Sequence, residues 1–316
     1  MSVQVSNNLA TGNNAHKPLR SNKIKATKGE MTFRVINDLF LFLLMVVMVY
    51  PIWYVIVASF SDNNMLVGYT GILLKPLKFS VNAYKLMMKN PMILRGYANT
   101  IFIVVTSVVL NIIFTAMAAY FLSRKNVYWQ KYVMMFIVFT MFFSGGLIPS
   151  YLINTKLFHL RDSYLALIIP GMINTYNLII LRTAFAAVPV SLEESARVDG
   201  ANHWVILFNI VIPLSMASIA VMILYYAVAH WNSWFAANIY INTRSKYPLQ
   251  LVLREILISN DTSSMTMGAG GAEDQQSIGE SVKYAIIVVA TVPILCVYPF
   301  LQKYFVKGVM VGAVKG

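Results

Sequence analysis

The chain has 316 residues, 58% of them hydrophobic and only 12% charged, against about 25% charged in an ordinary soluble domain. Outside its apolar runs no stretch is long or apolar enough to build a core, which excludes a soluble domain. The formal net charge is +13; no nucleic-acid partner is expected.

The first 32 residues are polar and rich in Asn, Lys and Ser. They lack the apolar core that a signal peptide carries behind its basic start. Residues 1–32 are therefore expected to form a flexible cytoplasmic lead, with the first helix as an uncleaved anchor. Six runs with almost no charge follow, at 35–60, 101–122, 133–153, 164–181, 214–229 and 284–301; Asp38 is the one acid among them. Each approaches the ~20 residues needed to cross the hydrocarbon core. Backbone polar groups find no water there, so such runs must be helical, and the alternation of a membrane barrel is absent. The predicted fold class is an all-α polytopic membrane protein with six transmembrane helices at 33–305 and a tail at 306–316.

Pro51 predicts a kink in the first helix. The external segment 61–95 is too polar to span and should hold a short interfacial helix at 81–88. Ser144-Gly145-Gly146 and Pro149 should interrupt the third span. Asp162-Ser163 should cap the fourth, with a break at Pro170-Gly171. The longest cytoplasmic loop lies at 182–213, and its coupling-type part at 188–213. The largest external loop lies at 238–282. Within it, Gly268, Gly270 and Gly271 precede no Lys-Ser/Thr pair, so they form no phosphate cradle. Cys296, the single cysteine, reads as a small apolar filler in the last span.

Cations mark cytoplasmic flanks. Lys17, Arg20, Lys23, Lys25, Lys28 and Arg34 place the lead inside; Arg124, Lys125 and Lys131 agree, as do Lys303, Lys307 and Lys315. Both termini are therefore expected in the cytoplasm of a prokaryote, with the chain in its cytoplasmic membrane. Lys75, Lys78, Lys85, Lys89 and Arg95 stand outside in this topology. They suit lipid headgroups, an acidic partner or an anionic solute.

The loop 188–213 carries the most legible local chemistry. Ser191 and Glu194 form a capping-box pattern, Glu193 and Glu194 suit a helix's first turn, Gly200 suits a left-handed stop, and Asn202 can cap a second helix running to Pro213. Taken alone this is equally an amphipathic loop helix packed on its neighbours. Glu194-Ser195-Ala196, Asp199-Gly200-Ala201 and Pro213 resemble the EAA loop of ABC-importer permeases; Ser195 departs from the family's Ala, and Ile212 from its usual Leu. Tyr298 to Gly308 and the ending Gly312-Ala-Val-Lys-Gly316 are similar to the carbohydrate branch of that family, both the smaller maltose-type permease and the LplC-type oligosaccharide permeases. Asn99-Thr100 and Asp162-Ser163-Tyr164 also fit.

The resemblance implies a type I ABC importer permease fold and a non-catalytic transport subunit. Glu193, Glu194, Ser195, Ala196, Asp199, Gly200, Ala201 and Pro213 would form the docking element for an ATPase dimer. Gly312, Lys315 and Gly316 would reach that dimer's interface. A second permease chain and an extracytoplasmic solute-binding protein complete the expected assembly. No Walker A motif is present, so ATP and Mg would be bound by the ATPase partner and no cofactor by this chain. Polar groups inside spans are candidates for the solute pathway: Asn111, Asn174, Tyr176, Asn177, Trp231, Asn232 and Trp234. The same groups suit interhelical bonds or interface anchors. No metal site is expected. The solute expected is an oligosaccharide; the alternatives are a non-sugar solute or a secondary carrier, which the lack of intramembrane acids disfavours.

Overall fold

The computed structural model describes residues 27–124, 127–259, 281–297 and 299. The lead up to residue 26, the glycine-bearing stretch 260–280 and the tail 306–316 lie outside the described residues. The chain divides into two units, Met1–Pro51 and Ile52–Gly316.

The described part of the first unit is helix. Helix α1 (Lys28–Ser59) starts within the stretch read as lead. Glu30 explains the early start: its carboxylate accepts the Thr27 N–H at 2.9 Å, half of a capping box. The helix is continuous through Pro51. Its apolar side chains from Leu39 to Val49 are exposed, as a lipid-facing surface requires.

In the second unit, the end of α1 buries Val57 and Ala58 with Leu66 and Leu73. Helix α2 (Asn63–Leu66) is capped by Asp62. Helix α3 (Asn82–Lys89) occupies the place read as the interfacial helix and buries Ala83 and Met87. Helix α4 (Pro91–Ser123) is longer at its outer end than the apolar run 101–122. Asn90 caps it by accepting the Met92 N–H, and Pro91 stands in the first turn, where a missing N–H costs nothing.

Helix α5 (Gln130–Phe142) leads to α6 (Leu147–Leu152), which continues as a π turn at Ile153–Leu157. The axis turns by 111° between them, at the predicted Ser144-Gly145-Gly146, where Gly146 has φ +85°. The fourth span is broken at Pro170-Gly171 as expected, into α7 (Leu165–Ile168) and α8 (Thr175–Ala186). Then come α9 (Val190–Val198), α10 (His203–Ile206), a π turn at Leu207–Val211, α11 (Ile212–Leu214) and α12 (Met216–Trp231). Pro213 offers no N–H to the ladder, and the stretch His203–Leu214 meets α12 at 86°. Helices α13 (Phe235–Tyr240), α14 (Leu249–Ser259) and α15 (Ser281–Val297) complete the described set. Every apolar run read from the sequence holds one of these elements.

Helix α4 is the centre of the second unit, packed on α8, α12 and α14. In its C-terminal half Ala116, Ala119 and Leu122 meet Leu181 and Phe185 of α8 and Met222 of α12. Helix association in lipid depends on close packing rather than on escape from water, which explains the small residues here. In its N-terminal half Gly96 takes the place of a side chain: a Cβ there would lie 3.1 Å from the Leu249 Cα. Thr100 Oγ1 accepts the Leu249 N–H at 2.8 Å. Asn99 donates to the carbonyls of Ser245 and Tyr247 at 2.9 and 3.0 Å. So α4 pins the segment 245–249.

Candidate functional site

Helix α9 leaves α8 at an angle of 71°. The capping box predicted from Ser191 and Glu194 does not form. Pro189 is the N-cap and no side chain caps the helix, so Ser191 already lies inside the first turn. The far end follows expectation. Gly200 has φ +85°, the Ala201 N–H bonds the Ala196 carbonyl at 2.8 Å, and the Gly200 N–H bonds that of Arg197 at 3.0 Å. This pair of bonds is a Schellman stop. Asn202 Oδ1 accepts the Val205 N–H at 2.9 Å and so caps α10.

The two adjacent glutamates face opposite ways. Glu194, Ser195, Asp199 and Pro213 are exposed, and Ala196 and Ala201 are half-buried. Glu193 is buried and pairs with Arg124. It is therefore absent from the exposed face that Glu194, Ser195 and Asp199 share. Arg124 is fixed from four sides. Its Nη2 donates to the Phe185 carbonyl at 2.8 Å, its Nε to Ser123 Oγ at 3.0 Å, and its guanidinium lies 4.9 Å from the Tyr120 ring centroid. Burial lowers the Arg124 pKa, opposed by Tyr120 and reinforced by Arg197; the group stays charged.

More bonds converge on this corner. The Leu122 carbonyl accepts from Arg182 Nε at 2.9 Å and from Gln130 Nε2. Tyr120 Oη and His203 Nδ1 lie 3.1 Å apart. The inner end of α4, the end of α8, and α9 and α10 thus form one bonded block. A pocket of about 220 Å³ opens in it, lined by Ser123, Arg124, Val188, Glu193, Glu194 and Arg197 among others.

Of the predicted pathway residues, Asn111 and Asn174 bond to side chains of α12. Asn111 is fully buried on α4, and its Nδ2 meets His230 Nε2 of α12 at 2.9 Å. One turn further in, Thr115 Oγ1 meets Tyr226 Oη at 2.8 Å, and that hydroxyl also accepts the Asn174 N–H at 3.1 Å. Asn174 caps α8 by accepting the Asn177 N–H. Asn177 is buried, while Tyr176 and Asn232 are exposed. Trp231 donates to the Ala290 carbonyl at 3.1 Å and packs near Tyr97, so it ties α12 to α15. Trp234 carries the guanidinium of Arg254 over its ring, 3.2 Å from the centroid. The tail residues Gly312, Lys315 and Gly316 lie outside the described residues.

Of the Asp162-Ser163 pair expected to cap the fourth span, Asp162 has φ +55°, and its carboxylate is turned to the segment 242–246. It accepts from the Thr243 hydroxyl at 2.6 Å, the Thr243 and Asn242 N–H groups, and Lys246 at 2.9 Å. These bonds, the Thr243 hydroxyl foremost, hold its carboxyl well below the usual carboxylate range. Ser163 takes the local role, accepting the Leu165 N–H.

No local pattern foretold the Arg124–Glu193 pair or the Asp162 clasp, because both join residues far apart in the chain. Arg124 stood out only as a cytoplasmic flank charge.

Residues 127–311 match the family described as binding-protein-dependent transport system inner membrane component. The polygalacturonan/rhamnogalacturonan transport system permease protein YtcP of Bacillus subtilis (strain 168) is 42% identical over 280 residues, 88% of this chain and 96% of that protein. Protein LplC of the same strain is 40% identical over 292 residues, 92% and 97% of the two chains. A chain in the crystal structure of a bacterial ABC transporter involved in the import of the acidic polysaccharide alginate superposes with a TM-score of 0.80 at 30% identity, over 89% of this chain and 99% of that one. Helices, breaks and inner loop accordingly belong to a shared architecture, and the chain is a member of the binding-protein-dependent transport system inner membrane component family.

Proposed function

We propose that the chain is a permease subunit forming half of the pathway of an ATP-driven importer, and that its solute is an acidic oligosaccharide. The observation that carries the solute class is the near full-length similarity to a polygalacturonan/rhamnogalacturonan permease. The structural likeness to an alginate importer supports it, since both named substrates are built from or contain uronic acids. The exposed external cations Lys75, Lys78, Lys85, Lys89 and Arg95 favour the same charge class.

Energy enters through α9. Its exposed face, with Glu194, Ser195 and Asp199, supports docking to a separate ATPase dimer, and the Schellman stop at Gly200 gives that face a fixed end. A second permease completes the pathway, and an extracytoplasmic binding protein delivers the solute. ATP and Mg belong to the ATPase partner. Closure of that dimer then moves α9 and the block bonded to it, which is rigid-body alternating access biased by a partner's ligand. The cation distribution supports cytoplasmic termini.

The test is uptake by the complete transporter in proteoliposomes with its binding protein. Labelled oligogalacturonide should accumulate in an ATP-dependent way, and a neutral maltodextrin of equal length should not. Uptake of the neutral chain alone sinks the acidic assignment; uptake of either without ATP sinks the importer.

A further inference from the structure

An importer of acidic oligosaccharides must give each carboxylate a partner when it leaves water, because an unpaired charge is costly to desolvate. The cations of the segments expected outside differ sharply in how they are held. Arg244 is bonded to Glu255 at 3.1 Å, Lys246 to Asp162 at 2.9 Å, and Lys78 lies 3.9 Å from Asp62. Lys75, Lys85, Lys89 and Arg95 are exposed.

Arg254 belongs to neither group. It is half-buried, and its Cζ lies over the indole of Trp234, 3.2 Å from the ring centroid. Among the described residues no carboxylate or carbonyl accepts from it. Helix α14 explains the placement. It buries Leu249, Val252, Leu253 and Ile256 in one cluster and Leu251 against Ala237 and Ile241 in another. Trp234 packs on that second cluster, in the turn between α12 and α13. The backbone on both sides of the pair is thus anchored.

We infer that Arg254, held over the Trp234 ring, is a carboxylate-binding subsite for a uronate residue of the solute; this rests on the acidic-oligosaccharide reading above. A guanidinium offers a planar fork of N–H donors that matches a carboxylate in bidentate fashion. Held on an indole, it loses little freedom when the second partner arrives. The contact also reassigns Trp234, since one face of its ring carries Arg254 and is closed to sugar stacking. Asn232 and Ser233 are exposed in the same turn as Trp234 and bring an amide and a hydroxyl to it.

The test uses the purified complete transporter and equilibrium binding of a labelled oligogalacturonide, with the fully methyl-esterified oligomer as the neutral probe. R254Q should weaken binding of the acid about tenfold or more, the loss of one charge-assisted bond pair. R254K should fall between, and the ester should bind wild type and both variants alike. Co-purification with the partner permease and ATPase at wild-type yield shows that each variant is folded; if R254Q fails there, R254K carries the comparison. Wild-type binding of the acid with unchanged affinity in the variants overturns the subsite and leaves the acidic reading standing. A wild type that binds the ester but not the acid overturns both.

Discussion

Arg124 and Glu193 form an ion pair whose side chains are 9% and 4% exposed, and it joins the inner end of α4 to the helix proposed to meet the ATPase. Removing one partner of a buried pair strands the other, at a cost of about 3–5 kcal/mol. Glu193→Ala should therefore lower the thermal stability of the detergent-purified permease markedly. Glu194→Ala, one residue on and exposed, should leave stability unchanged and reduce ATP-driven uptake. Melting curves read by size-exclusion fluorescence, with uptake assays beside them, separate the two; a shared phenotype would contradict the opposite facing of these glutamates.

The Gly200 stop should be sensitive to conformation and not to volume. A Cβ at Gly200 meets nothing within 4 Å, yet its φ of +85° costs an L-residue about 1–2 kcal/mol. Gly200→Ala should reduce uptake and ATPase coupling with normal expression, and Gly200→Asn should do so less, since Asn visits this region more readily. Equal loss in both variants would point to a direct contact by the glycine instead.

The opposite holds at Gly96, where volume decides. Its added Cβ would press on the Leu249 backbone, and overpacking of this kind costs about 1–3 kcal/mol. Gly96→Val should lower the melting temperature more than Gly96→Ala. Thr100→Val should lower it too, by stranding the Leu249 N–H that Thr100 now accepts, a penalty of about 1–3 kcal/mol. A Thr100→Val protein as stable as wild type would mean that water replaces the hydroxyl.

Asp162 sets a pH dependence with a defined sign. Its folded pKa is depressed, first by the Thr243 hydroxyl, below the ordinary value of 3.8. Its contribution is therefore complete above that value and is lost only as pH falls below it, toward the folded pKa. Amide exchange at Asn242 and Thr243, corrected for the intrinsic rate, should stay slow and flat from about pH 7 to pH 5. Asp162→Asn should speed exchange at both amides throughout that window. Flat, slow exchange in the variant would show that the backbone bonds of this clasp suffice without the charge.

Much of the fold was readable because lipid leaves so few choices. Uncharged runs of membrane length located the spans, and Gly146, Pro170 and Gly200 marked breaks where the backbone does turn. What escaped depends on pairing across the chain. Asn90 and Pro91 extend α4 outward past the apolar run, and Glu30 draws the start of α1 back to Lys28, because caps act on the ends of spans and hydropathy does not see them. Glu193 and Glu194 look alike in a first turn; only the position of Arg124 decides which of them is buried. Asp162 carries the composition of a cap, but Thr243 and Lys246 compete for its carboxylate and win. Trp234 read as a pathway candidate or an interface anchor, since nothing local foretells a guanidinium from α14 on its face.

Helix α4 is held in its N-terminal half by Asn99 and Thr100 to the segment 245–249 and at its C-terminal end by Arg124 to α9. At ~1.5 Å per residue, its 33 residues make a rod of about 50 Å, longer than the hydrocarbon slab it crosses. A rod fastened at each end does not let its fastenings drift separately. Displacement of the segment 245–249 is therefore expected at α9 in the same stroke, so the importer proposed above would report occupancy to its ATPase mechanically, with no relay of charges or protons through the bilayer.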